Sequence, residues 1–127
     1  MTFQHAVLWM DHENAIILAL TPEEMHRQAV RCPQRRHNRD RDSLDFRAER
    51  DRMYFTAVAE ALDGTPEILL LGPAETHTSF LTWLKMHRPE QAHHILKSAA
   101  WDHSTDKELA AEGRRFFHAA DRMRPRL

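Results

Sequence analysis

Cysteine and glycine are scarce in this sequence: Cys32 is the only thiol, and Gly64, Gly72 and Gly113 are the only glycines. A lone cysteine cannot close an internal disulfide, which excludes the disulfide-stapled secreted folds. The glycines stand far apart, and the Gly72-Pro73-Ala74 string fits neither a Walker A loop nor a dinucleotide fingerprint, so no cofactor is expected. Long apolar runs are also missing. The longest, Ala15 to Leu20 and Ile68 to Leu71, fall well short of the roughly 20 residues of a membrane-spanning helix. The opening string MTFQHAVLWMDHENA has no basic segment followed by an apolar one, so a soluble cytoplasmic protein without a membrane partner is expected. Net charge is nearly absent as well. With 18 Lys and Arg against 19 Asp and Glu, the formal charge is −1, and any electrostatic function has to be local.

What is present is an ordinary globular composition, 42% hydrophobic and 29% charged, over 127 residues. That length suits one domain spanning residues 1–127, with about two-thirds of the unfolded surface buried around one core. Gln4 to Met10 and Ala15 to Leu20 are short apolar runs separated by Asp11-His12-Glu13-Asn14, the pattern of a β-hairpin. After Thr21-Pro22, the weakly patterned Met25 to Val30 adds a third, edge strand. Cys32 to Asp42 (CPQRRHNRDRD) has almost nothing apolar and reads as a solvated loop.

From Ser43 the period changes. Leu44, Ala48, Met53, Phe55, Val58, Ala59 and Leu62 recur at three- and four-residue intervals, predicting an amphipathic helix closed by Asp63-Gly64-Thr65-Pro66. Ile68 to Leu71 is apolar throughout, as expected of a central strand covered on both faces. A second helix is predicted from Glu75 to His87, a strand from Ile95 to Trp101, and a last helix to about Arg122 with Leu109, Phe116 and Met123 facing inward. Thr105 and Glu108 have the spacing of a capping box at its start. The order β-β-β-α-β-α-β-α gives an α/β fold with a mixed five-stranded sheet and three main helices. Its first strand lies beside Ile68 to Leu71, because parallel strands need crossovers while antiparallel ones need only turns. That is the arrangement of a single ribonuclease H-like domain.

Several strings carry a resemblance: Ala6 to Ala15, Glu67 to Ala74 with its Leu71-Gly72-Pro73-Ala74 strand end, Asp102 to Asp106, and Phe116 to Met123. Together they resemble a small bacterial group of translational machinery proteins. This group is similar to the central, ribonuclease H-like domain of the archaeal and eukaryotic class-one peptide-chain release factors and of the ribosome-rescue factor Pelota. The resemblance implies a partner in the ribosome or another structured RNA. One departure is clear: release factors carry a Gly-Gly-Gln tip between the third strand and the first long helix, and Cys32 to Asp42 contains no glycine. Peptide release of that kind is not expected, and Pelota, whose corresponding domain lacks the tripeptide, is the closer functional analogy.

The basic loop is the leading functional candidate. Arg31, Arg35, Arg36, Arg39 and Arg41 occur with a single acid, Asp40, before the mixed charges begin. Guanidinium groups form bidentate contacts with phosphate, so these five arginines are the expected RNA-binding residues. A second set, Arg114, Arg115, Arg122, Arg124 and Arg126, lies near the C terminus. The competing explanation for both is a solvated face neutralised by nearby acids. The loop has no aromatic residue for base stacking, so its contacts would be to phosphate.

An alternative is a metal-dependent nuclease or hydrolase. Predicted parallel strands end at Asp11-His12-Glu13, at Gly72 to His77 and at Asp102-His103, and Asp11, Asp102 and Asp106 are the carboxylates that a magnesium or manganese ion would need there. Turn and capping roles explain the same residues without a metal. Among the ten histidines, His87, His93 and His94 gather near one helix end but lack the spacing of a zinc motif. Cys32, close to Arg31, Arg35 and Arg36, could carry a lowered thiol pKa, with no acid or base partner in view. The remaining reading is a protein-binding module, dimeric through an uncovered edge strand.

Overall fold

The computed structural model describes residues 4–33, 44–102 and 105–123. Strands β1 (His5–Met10), β2 (Asn14–Leu20) and β3 (Met25–Arg31) are followed by helix α1 (Leu44–Ala61), strand β4 (Glu67–Gly72) and helix α2 (Ala74–His87). A single turn α3 (Pro89–Ala92), strand β5 (Ile95–Ala100) and helix α4 (Asp106–Met123) complete the chain. The sheet order is β3-β2-β1-β4-β5. Strand β1 pairs antiparallel with β2 and parallel with β4, β2 pairs antiparallel with β3, and β4 pairs parallel with β5. This is the mixed five-stranded α/β arrangement that the element order predicts.

The pleat divides the core in two. Ala6, Leu8, Met10, Ile68 and Leu70 pack on one face against Tyr54, Val58, Leu62, Phe80 and Leu84 of α1, α2 and the end of α1. Val7, Trp9, Leu18, Leu69 and Leu71 pack on the other against Leu109, Ala110 and Phe117 of α4. Alternate residues of β1 and β4 therefore point into different cores, which is why both strands are apolar without interruption. No residue from Ile68 to Leu71 exceeds 2% exposure, as a strand with no polar side requires. At the edge, β3 is exposed or half-buried along its whole length.

Turn chemistry sets the boundaries. Thr21 closes the β2–β3 hairpin, accepting at Oγ1 from Glu24 N (2.9 Å). Gly64 ends α1 with φ of 85°, the left-handed conformation expected of it. Thr105 Oγ1 accepts from Glu108 N (3.1 Å) and Glu108 Oε1 accepts from Thr105 N (3.3 Å), forming the predicted capping box. Two helix faces differ from expectation. In α1, Tyr54 is buried, whereas Met53 is 51% exposed, because at 3.6 residues per turn it lies about 140° around the helix from Val58. In α4, Phe117 is buried and Phe116 only partly so. The contact row is Leu109-Gly113-Phe117, since α4 approaches the sheet most closely at Gly113. The turn α3 was not predicted; Pro89 occupies its first position, where its missing N–H costs nothing.

Candidate nucleic-acid interface at the strand-end rim

The parallel strands β1, β4 and β5 bring Met10, Gly72 and Ala100 to one rim of the sheet. The rim is knit together by short-range bonds. Asp11 Oδ1 accepts from the amides of Glu13 (2.8 Å) and Asn14 (2.7 Å), fixing the hairpin turn. Tyr54 donates its buried hydroxyl to the Asp11 carbonyl (2.9 Å), and burial pushes its pKa above the ordinary phenol value. Trp101 N donates to Gly72 O (2.9 Å) and Trp9 Nε1 to Trp101 O (3.2 Å), fastening the end of β5. Gly72 lies where β4 passes closest to β1: at φ of 151°, an added Cβ would meet Met10 O at 2.2 Å. Exposed His12 makes two loose contacts, its Nδ1 lying 3.5 Å from Oγ1 of buried Thr76 and its Nε2 3.9 Å from exposed Glu75. Behind them, buried His77 contacts Ser98 Oγ through Nδ1 (2.5 Å), and desolvation lowers its pKa.

The predicted basic loop leaves from this rim. Cys32 N donates to Glu13 O (2.7 Å), which holds the end of β3 beside the β1–β2 turn. Arg31, the last residue of β3, is exposed. Arg35, Arg36, Arg39 and Arg41 lie outside the described residues. The lowered thiol pKa suggested for Cys32 by its arginine neighbours is corrected. Its side chain is buried, and burial raises its pKa more than Arg50 lowers it. The C-terminal arginines are partly committed: Arg114 donates to the carbonyls of Thr21 and Glu24 (3.4 and 2.9 Å), and Arg115 is paired with Glu112. Arg122 is exposed, while Arg124 and Arg126 are outside the described residues.

Two of the three carboxylates of the alternative metal site make contacts within the fold. Asp11 caps the hairpin turn. Asp106 Oδ2 accepts from Arg27 Nε (2.7 Å), tying α4 to β3. Asp102 is exposed beyond β5. Among the described residues, the set of three metal-ligating side chains with ligand atoms within 4.8 Å of one another is instead His5, Glu67 and Asp121, at the opposite pole of the sheet. Sequence reading missed it because His5 and Glu67, far apart in the chain, meet only through the parallel register of β1 and β4. His87, His93 and His94 are all exposed, with His87 packed on Trp83 (5.1 Å between ring centroids).

No known family model matches the chain, and no curated protein matches it. Solved structures do. Archaeoglobus fulgidus Pelota is similar over 97% of this chain and 38% of its own, with TM-score 0.60 and 16% identity. Thermoplasma acidophilum Pelota is similar over 94% and 33%, with TM-score 0.58 and 18% identity. The archaeal translation termination factor aRF1 is similar over 93% and 39%, with TM-score 0.53 and 13% identity. The chain thus spans between a third and two-fifths of the length of these proteins, and what it shares with that part of them is the fold.

Proposed function

We propose that this chain is a non-catalytic accessory protein of the translation machinery that binds the ribosome or another structured RNA. The observation that carries this reading is the likeness of nearly the whole chain to part of Pelota and of the termination factor aRF1. The bacterial translational machinery group is the family it fits. The contact element is the loop from Cys32 to Asp42, with Arg31, Arg35, Arg36, Arg39 and Arg41 as its phosphate ligands. Two features support that choice: the loop departs from the rim at the carboxyl ends of β1 and β4, where α/β sheets favour ligands, and Arg31 is exposed at its root. Exposed β3 is the edge through which two copies would pair if the chain is a homodimer.

Co-sedimentation with ribosomes across a salt series tests the reading. Arginine–phosphate contacts release counterions, so binding should fall steeply with salt. Replacing Arg35, Arg36, Arg39 and Arg41 with serine should weaken binding and reduce the slope of log affinity against log salt by up to about 3. The melting temperature should hardly change, because exposed charges contribute little to folding. If the parent protein fails to co-sediment at low salt, or if the four substitutions leave its binding unaltered, the RNA reading is wrong.

A further inference from the structure

The two edges of the sheet differ in what they offer to a further strand. Strand β5 is guarded: its register with β4 skips a residue between Ile95 and Lys97, which leaves a bulge at Leu96, and a lysine follows. Bulges and lysines are devices by which edge strands avoid pairing with another chain. Strand β3 has neither. Its 7 residues pair with β2 in unbroken register, no proline or lysine interrupts them, and among the described residues β2 is its only neighbour in the sheet. An edge left open in this way is a template for another strand.

The register also fixes which backbone groups of β3 face outward. Cys32 N donates to Glu13 O, so these two residues are a hydrogen-bonded pair, and alternation makes Ala15 with Val30, Ile17 with Gln28 and Ala19 with His26 the others. The N–H and C=O of Met25, Arg27, Ala29 and Arg31 therefore point away from β2. A second copy of β3 can meet that row antiparallel in only a few registers that set outward groups against outward groups. Centring the two-fold axis on Arg27 places two Arg27 side chains opposite each other, and centring it on Ala29 places Arg27 opposite Arg31; like charges directly opposite are unfavourable. Centring it on Gln28 avoids both. Met25 then faces Arg31, Arg27 faces Ala29, His26 faces Val30 and Gln28 faces itself, so the whole strand is paired.

The side chains suit this register. Arg27 is held by Asp106 of its own copy at 2.7 Å, and the small side chain of Ala29 opposite leaves that ion pair room. Met25 is 40% exposed although apolar, and the aliphatic stem of Arg31 opposite would cover it. The two Gln28 amides meet at the axis, where each offers a donor and an acceptor to the other. The strand is thus complementary to itself, as the interface of a two-fold dimer requires.

We infer that two copies of this chain pair antiparallel through β3 about a two-fold axis at Gln28, joining their sheets into one. The pairing rests on the homodimer reading of β3 and is independent of RNA binding. The test is sedimentation equilibrium at concentrations up to about 1 mM, since edge pairing buries less surface than a standard interface. The parent should approach the mass of a dimer, and the amides of Met25, Arg27, Ala29 and Arg31 should gain hydrogen-exchange protection as the concentration rises. Ala29→Arg sets like charges opposite each other twice by symmetry and should raise the dissociation constant by about tenfold. Ala29→Pro should also separate the copies while sparing the β2–β3 ladder, because the N–H it removes points outward. Ala29 is exposed, so both variants should fold, and far-ultraviolet circular dichroism checks this. On mild oxidation Gln28→Cys should form a disulfide between copies, since opposed residues of a non-hydrogen-bonded pair lie about 4.5 Å apart at Cα. Ala29→Cys should not, being offset from its counterpart by about 7 Å along the strands. Cys32 is buried, which makes the parent the uncross-linked control. A monomer at every concentration, or a dimer that folded Ala29→Arg leaves intact, overturns pairing through β3; a dimer in which Gln28→Cys stays uncross-linked overturns the register.

Discussion

A β-carbon added at Gly113 would come within 2.2 Å of Val7 Cγ2 and 2.8 Å of Leu20 Cδ1, because α4 lies directly on β1 and β2 there. Gly113→Ala should therefore lower stability in urea unfolding by about 1–3 kcal/mol, overriding the roughly 1 kcal/mol that alanine gains in an exposed helix. Were the variant more stable than the parent, the packing of α4 on β1 would be wrong. Gly72→Ala should be worse still: its obstacle is the Met10 carbonyl, a backbone atom that cannot rotate away. His77 makes a pH-dependent contribution. Desolvation lowers its pKa from the ordinary 6.5 in the folded chain, so the unfolded chain takes up the proton first. Its contribution is thus present above pH 6.5 and lost as the pH falls through the lower folded value. His77→Gln should flatten this part of the stability profile; an unchanged acid limb would show that His77 does not titrate against burial. Cys32 shows how a local signal misleads. Arginines adjacent in sequence suggested a lowered thiol pKa, but the side chain folds inward and desolvation prevails.

Among the elements, α4 has the clearest start signal. Removing the Thr105 hydroxyl leaves the Glu108 amide without its capping acceptor, so Thr105→Ala should cost about 1 kcal/mol. A loss too small to measure in chemical denaturation would mean that the box adds nothing to the folded state. Hydrogen exchange should separate the strands: β4, buried on both faces and paired on both edges, should exchange slowest, while the outer edge of β3 should exchange fast in dilute protein. Rapid exchange from Ile68 to Leu71 would overturn the placement of β4. Element type and rough extent were legible because they depend on local features: the short apolar runs of β1 and β2, the turn at Thr21, the stop at Gly64 and the capping box. Which aromatic faces the core was less legible. Phe116 and Phe117 are adjacent, and the choice between them depends on where α4 crosses the sheet, which no residue of α4 specifies alone.

At the scale of the whole molecule, adding the protein to ribosomes loaded with peptidyl-tRNA should release no peptide above background, because residues 32–42 contain no glycine and hence no Gly-Gly-Gln tip. Release that disappears on mutating this loop would refute the non-catalytic reading. The sequence by itself determined the element order, the two-sided burial of Ile68 to Leu71 and the pairing of the first strand beside it. These follow from hydrophobic period, turn residues and the need of parallel strands for helical crossovers, all of which are written within a few consecutive residues. The position of Arg31 beside the β1–β2 turn was decided by the tertiary structure, since it depends on the β2–β3 register. So was the pairing of Asp106 with Arg27, which joins α4 to β3 across most of the chain. The meeting of His5, Glu67 and Asp121 is the strongest case. Strand register joins the first two, the docking of α4 brings the third, and each side chain alone is an ordinary polar residue at the end of its element.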